Sequence, residues 1–223
     1  MKSLRFTALV LLGGVIAGLT GMATVTMVEL ISENGPAVGW PMVAMAAGGG
    51  LFPGLGWRAL RSRTKLATVA GVLRDGGRFP VLSTIADAFL QLLAVATGAS
   101  VGRGNAPRQV AGSIEHSLTT SQPDSDRRIL LSAASAAGLT AVYNVSFAGV
   151  LFAFECLGLK KTWRGGIAVV VMSFLAALVA RPVVGSGPYY DFPAPSLSAE
   201  HIAWMVGWTL LGVPLIAFFG LVM

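Results

Sequence analysis

Gly98-Ala99-Ser100-Val101-Gly102-Arg103-Gly104-Asn105-Ala106-Pro107-Arg108-Gln109 separates two long apolar segments of a 223-residue chain. It places three glycines, two arginines and a proline between them. In lipid every backbone polar group must be satisfied internally, so irregular backbone at membrane depth survives only inside protein or beside a polar cavity. Pro107 suits the opening of a new helix, because its missing N–H would be unpaired there anyway. The free N–H groups around it then form the positive end of a helix dipole, which attracts anions. The stretch therefore reads as part of an anion pathway.

The composition around it agrees with a membrane setting. Apolar residues make up 54% of the chain, and charged residues only 12%. The charged share is about half of the roughly 25% usual in soluble domains. With 28 glycines, this describes an all-α polytopic membrane protein, read as a single transmembrane domain over residues 1–223. The net charge of +6 sits in arginine clusters between apolar segments. That pattern signals orientation in a bilayer and not nucleic-acid binding, which needs a basic, water-exposed face. The lone Cys156 excludes an internal disulfide and a cysteine metal cluster. His116 and His201 lie far apart and read as structural, so no metal and no cofactor is expected.

Outward from the central stretch, about six long apolar segments are expected. Residues 6–31 form a retained first membrane helix, longer than a signal-peptide core, with Gly14, Gly18 and Gly21 offering a close helix contact. Residues 36–57 follow a turn and read as a bent or broken helix, given Pro41, Gly48-Gly49-Gly50 and Pro53. Residues 58–78 form the most basic loop, with a short apolar stretch, 66–73, that reads as re-entrant or interfacial. In the segment 79–101, Asp87 and Gln91 share one helical face, which should point into protein.

Residues 106–118 read as an amphipathic helix, and 119–128 as a polar loop whose side is left unassigned. Residues 129–157 are too long for one crossing and carry a second irregularity at Tyr143-Asn144-Val145-Ser146. Lys160, Lys161 and Arg164 mark another cytoplasmic loop. Residues 165–184 cross outward, 185–198 form an external loop, and Ser198 and Glu200 open the last segment.

Two passages resemble the chloride channel (ClC) family of anion channels and proton-coupled anion exchangers. The central stretch resembles the family's Gly-Arg-Glu-Gly-Pro anion-binding segment, in the variant with alanine before the proline. Ala136-Ala137-Gly138-Leu139-Thr140-Ala141-Val142-Tyr143-Asn144-Val145-Ser146-Phe147-Ala148-Gly149-Val150-Leu151-Phe152-Ala153-Phe154-Glu155 is similar to the family's Ala-Ala-Phe-Asn-Ala-Pro-Leu-Ala-Gly-Val-Leu-Phe-Glu signature. The similarity runs from the first segment to about Phe192, including the Gly-Pro-Tyr-Tyr loop.

The resemblance implies a partial chloride channel fold with broken and re-entrant helices. It covers the N-terminal half of the family's inverted repeat plus the following helices. It further implies a multi-pass protein of the cell membrane, a homodimer in the bilayer, and chloride or a similar small anion as the ion.

The chain departs from the family at the ion. Gly104 stands where the family has its gating glutamate, and Asn105 follows in place of glycine. Without a carboxylate there is no swinging anion mimic and no group to take up a proton. The family's Gly-Ser-Gly-Ile-Pro segment, whose serine hydroxyl helps hold the ion, should fall near residues 65–71. Lys65-Leu66-Ala67-Thr68-Val69-Ala70-Gly71 does not match it, although Thr68 carries a hydroxyl. Family members continue with a second, inverted half that supplies another anion-facing helix end and a pore tyrosine.

The anion-binding residues expected here are Gly102, Arg103, Gly104, Asn105, Ala106 and Pro107, with the backbone N–H groups of Gly104 to Ala106 as donors. Asn105 can add an amide donor. Arg103 either raises the local positive potential or pairs with a carboxylate such as Glu155 or Asp87. Glu155 is read as structural before proton transfer. No Rossmann fingerprint, P-loop or nucleophile elbow fits, so an enzyme is not expected. The expected function is passive, channel-like chloride transport without proton coupling. The alternative is a truncated, non-conducting membrane subunit or scaffold of the same family.

Overall fold

The computed structural model describes residues 2–36, 38–99, 102–187 and 198–222, and every regular element among them is helical. Two compact units divide the chain, Met1–Tyr189 and Tyr190–Met223. The first holds α1 (Lys2–Glu33), α2 (Trp40–Arg63), α3 (Val69–Asp75), α4 (Val81–Ala96), α5 (Asn105–Leu118), α6 (Asp124–Tyr143), α7 (Ser146–Glu155) and α8 (Trp163–Val184). The second holds α9 (Ala199–Val222), whose start is tied by a bond from the His201 N–H to the Ser198 hydroxyl at 3.2 Å.

α6 is the centre of the first unit. Its buried run, Leu130 to Val142 with only Leu139 partly open, is mostly alanine, serine and glycine. Lipid tails are as apolar as leucine, so helices in a bilayer gain by close packing, and small residues permit it. α1, α5, α7 and α8 pack around α6. The glycines expected to admit a neighbour in α1 do so. A Cβ on Gly14 would stand 3.0 Å from Leu175 of α8, and one on Gly18 would stand 2.6 Å from Val179. Gly21 faces Ala141 of α6 in the same way.

Several elements differ from their sequence reading. Of the bent or broken readings α2 is not the broken one: it is a single helix from Trp40 to Arg63, with Pro41 in its first turn, where no N–H is needed, and Pro53 inside it. The last turns of α2 therefore contain Arg58, Arg61 and Arg63, and the basic stretch 58–78 is not one loop. Its apolar part forms the single short helix α3, capped by the Thr68 hydroxyl accepting from the Gly71 N–H at 3.1 Å. The polar loop 119–128 is shorter than expected, because α6 starts at Asp124 with Pro123 before it. Among the described residues, two helices are long and apolar enough to cross a membrane unaided, in Leu4–Glu33 and Trp163–Val184. The expected external loop and its Gly-Pro-Tyr-Tyr passage lie almost wholly outside the described residues.

Basic groups gather at one end of this unit. The Arg164 guanidinium bonds Asp126 at 2.9 Å and lies 3.9 Å over the Phe6 ring, so the starts of α1, α6 and α8 meet there. His116 at the end of α5 pairs with the Gly77 carbonyl at 3.2 Å and touches Arg127. A cavity of about 710 Å³ opens among Arg74, Arg128 and Lys160. Residues 119–128 thus share an end with the basic groups at 74 and 160–164. The opposite end holds the turn at Asn144, whose side-chain amide donates to the Gly187 carbonyl at 3.0 Å.

Candidate anion site at the start of α5

α4 ends at Ala96, which is buried together with Thr97 after it. The Thr97 hydroxyl donates back to the Leu93 carbonyl at 2.8 Å, closing the last turn. Gly98 follows at φ 110° and Gly102 at φ 71°, left-handed conformations that a Cβ disfavours. α5 then begins at Asn105 behind Gly104, which brings no side chain to cap it. The first turn contains no acidic residue. Its early N–H groups and the helix dipole make this end positive.

Three side-chain amides are strung beside that end. The Gln91 Nε2 of α4 donates to the Gly102 carbonyl at 3.0 Å. The Asn105 Nδ2 donates to Gln91 Oε1 at 3.1 Å. Asn105 Oδ1 accepts from Gln109 Nε2 at 3.2 Å and from Arg108 at 2.7 Å. Gln109 Oε1 accepts the Val69 N–H, the first of α3, at 2.9 Å. The starts of α3 and α5 are therefore joined through Gln109.

The cations around this end have defined seats. Arg103 is 9% exposed, with its guanidinium carbon 5.7 Å from the Tyr143 ring centre. Asp87 accepts from the Trp57 indole at 2.8 Å, and Glu155 is exposed at the end of α7, near the basic face. Arg108 lies 5.0 Å over the Phe152 ring. Both guanidiniums thus lie against aromatic rings beside the helix start.

Of the six expected residues, Gly102, Arg103, Gly104, Asn105, Ala106 and Pro107 all fall at this one helix start. The Asn105 side chain donates to Gln91 and accepts from Gln109 and Arg108. Ser100 and Val101 of the quoted stretch lie outside the described residues. Sequence reading missed Gln109 as a link, the position of Thr68 at a helix start, and Tyr143. A Cβ on Gly104 would stand 3.0 Å from the Tyr143 ring and 3.1 Å from Leu139, so Tyr143 and Leu139 close the space beside Gly104. The Thr140-Ala141-Val142-Tyr143-Asn144 passage was visible, but nothing local says that its tyrosine meets Gly104.

This geometry has counterparts among known proteins. Residues 49–223 match the family described as voltage gated chloride channel. The chain belongs to that family. A putative chloride channel protein, ClcB-like, from Ralstonia nicotianae is 26% identical over 184 residues, covering 77% of this chain and 41% of the relative. The crystal structure of a slow cyanobacterial Cl⁻/H⁺ antiporter superposes with a TM-score of 0.72 at 17% identity, covering 90% of this chain and 52% of the other. The chain thus spans about half the length of each of these relatives. The all-α chloride channel fold is shared, and this family member is a membrane protein whose charge-bearing break sits at the start of α5.

Proposed function

We propose that this chain passes chloride or a similar small anion across the cell membrane, passively and without moving protons. The observation that carries the reading is the joined starts of α3 and α5, with two arginines near and no acidic residue in the first turn. An ion there exchanges part of its water for fixed N–H dipoles from Gly104, Asn105 and Ala106. The Thr68 hydroxyl accepts from Gly71, which leaves its own hydrogen to donate. Proton exchange needs a titratable group on the ion path, and Gly104 provides none. The basic end, carrying Arg74, Arg128 and Lys160, faces the cytoplasm by the positive-inside rule. The working unit is a multi-pass homodimer in the lipid bilayer, as in the family this chain resembles, and its task is transport and not catalysis.

Purified protein in liposomes loaded with chloride tests this directly. Chloride efflux above that of empty vesicles is expected, with no accompanying pH change inside. Folded protein without efflux would leave the chain as a non-conducting subunit. Proton movement in fixed ratio to chloride would show that another group replaces the missing glutamate.

A further inference from the structure

The three amides beside α5 run in one sense only, and their two ends explain why. Val69 ends the string with a backbone N–H, which can only donate. Gly102 ends it with a backbone carbonyl, which can only accept. Gln109 must therefore turn its oxygen to Val69 and its NH₂ to Asn105. Asn105 then turns its oxygen to Gln109 and its NH₂ to Gln91. Gln91, in turn, has its NH₂ left for Gly102, as found. No amide in the string can flip without setting like groups against each other. Gln91 is 7% exposed and Gln109 8%, so water does not compete freely for these bonds.

The string acts on the peptide between Gly102 and Arg103. A trans peptide is planar, with its C=O and N–H pointing in opposite directions. Holding the Gly102 carbonyl on Gln91 therefore aims the Arg103 N–H to the other side. Gly102, at φ 71°, has the backbone freedom that would let this peptide turn. A turned peptide would exchange the positions of its carbonyl and its N–H beside the start of α5. Arg108 adds a charged donor to Asn105 Oδ1 and strengthens the middle of the string.

We infer that Gln91, Asn105 and Gln109 form a one-way amide relay that orients the peptide entering α5 and joins it to the start of α3, and that this relay sets which anions the site prefers. The inference rests on the anion-site reading above. Gln91 and Gln109 are positioning residues, acting through the backbone and not on the ion. The relay replaces adjustable side-chain coordination with fixed dipoles, whose spacing discriminates between anions of different size and shape.

Gln91→Met and Gln109→Met cut the relay at its two ends while keeping side-chain length. Chloride and nitrate binding to the detergent-purified full chain is measured by titration calorimetry, and flux of both ions in liposomes. Each variant is expected to lose about threefold to tenfold in chloride affinity, the worth of one hydrogen bond. The chloride-to-nitrate ratio should change by about threefold or more in both assays, which general loosening of the fold would not cause. If one variant does not fold, the other still reads the relay, because the cuts lie on α4 and α5. Wild-type protein that binds and passes neither ion overturns the anion-site reading and the relay together. Wild-type activity with unchanged ratios in the folded variants overturns the relay alone.

Discussion

At the scale of single residues, close approaches decide more than polar side chains do. Gly138 of α6 meets the first turn of α5, where an added Cβ would stand 2.6 Å from the Pro107 carbonyl oxygen. Backbone cannot yield there as a flexible side chain does. Gly138→Ala should therefore lower the thermal unfolding midpoint in detergent, at a cost of about 1–3 kcal/mol. Asn144 joins α6 to α7 at φ 55°, with its own amide on the Gly187 carbonyl. Only glycine and, to a lesser degree, asparagine visit that region readily, and other residues lose about 1–2 kcal/mol. Asn144→Val should destabilise the protein far more than Asn144→Gly in the same melting experiment. The turn at Tyr143 to Ser146 was legible from the sequence, since Asn144 is a residue type that tolerates it. The meeting of Tyr143 with Gly104 was not, because a contact between residues so far apart leaves no local trace.

At the scale of elements, α5 has two polar features with opposite bookkeeping. Its start has every side-chain amide oxygen of the relay occupied. Further along, Glu115 is fully buried, and neither carboxylate oxygen has a hydrogen-bond partner among the described residues. It lies against Gly13 of α1, where an added Cβ would stand 2.7 Å from Oε2, and Met172 of α8 closes the same space. A buried polar group without a partner is destabilising, and an apolar group of like shape removes that cost. Glu115→Met is expected to raise the unfolding midpoint, by the equivalent of about 1–3 kcal/mol. A fall instead would mean that the carboxyl has a bonding role in the folded protein. The amphipathic pattern of α5 was readable in the sequence, and so was the shared face of Asp87 and Gln91. Their partners were not, since Trp57 reaches Asp87 and Gly102 reaches Gln91 only after α2 and α4 have packed.

At the scale of the whole molecule, orientation follows from where the basic groups converge. Arg74, Arg128 and Lys160 come from three separate parts of the chain and line one cavity. Cys156 lines it too, is exposed, and is the only cysteine in the chain. A membrane-impermeant maleimide should label it in inside-out vesicles and not in intact cells. Ser186→Cys in a Cys156→Ser background moves the thiol to the other end of α8, and its labelling should reverse. Equal labelling of both from one side would overturn the orientation. The sequence left residues 119–128 without a side, because Arg127 and Arg128 stand where a single crossing by the segment after them would put an outside loop. That segment is two helices: α6 runs to the turn at Asn144, and α7 returns from it to the basic end.

The sequence by itself determined the helical membrane class, the two breaks at 98–104 and 144–145, and the positive helix start behind Gly104. These depend on residue types acting locally: glycine where φ is positive, proline where an N–H is dispensable, apolar runs of helical length. Only the tertiary structure decided what closes the space beside Gly104, which side chains bond around the start of α5, and how the start of α3 reaches that of α5. Those are pairings between distant segments, and their energy depends on distances that no local pattern encodes.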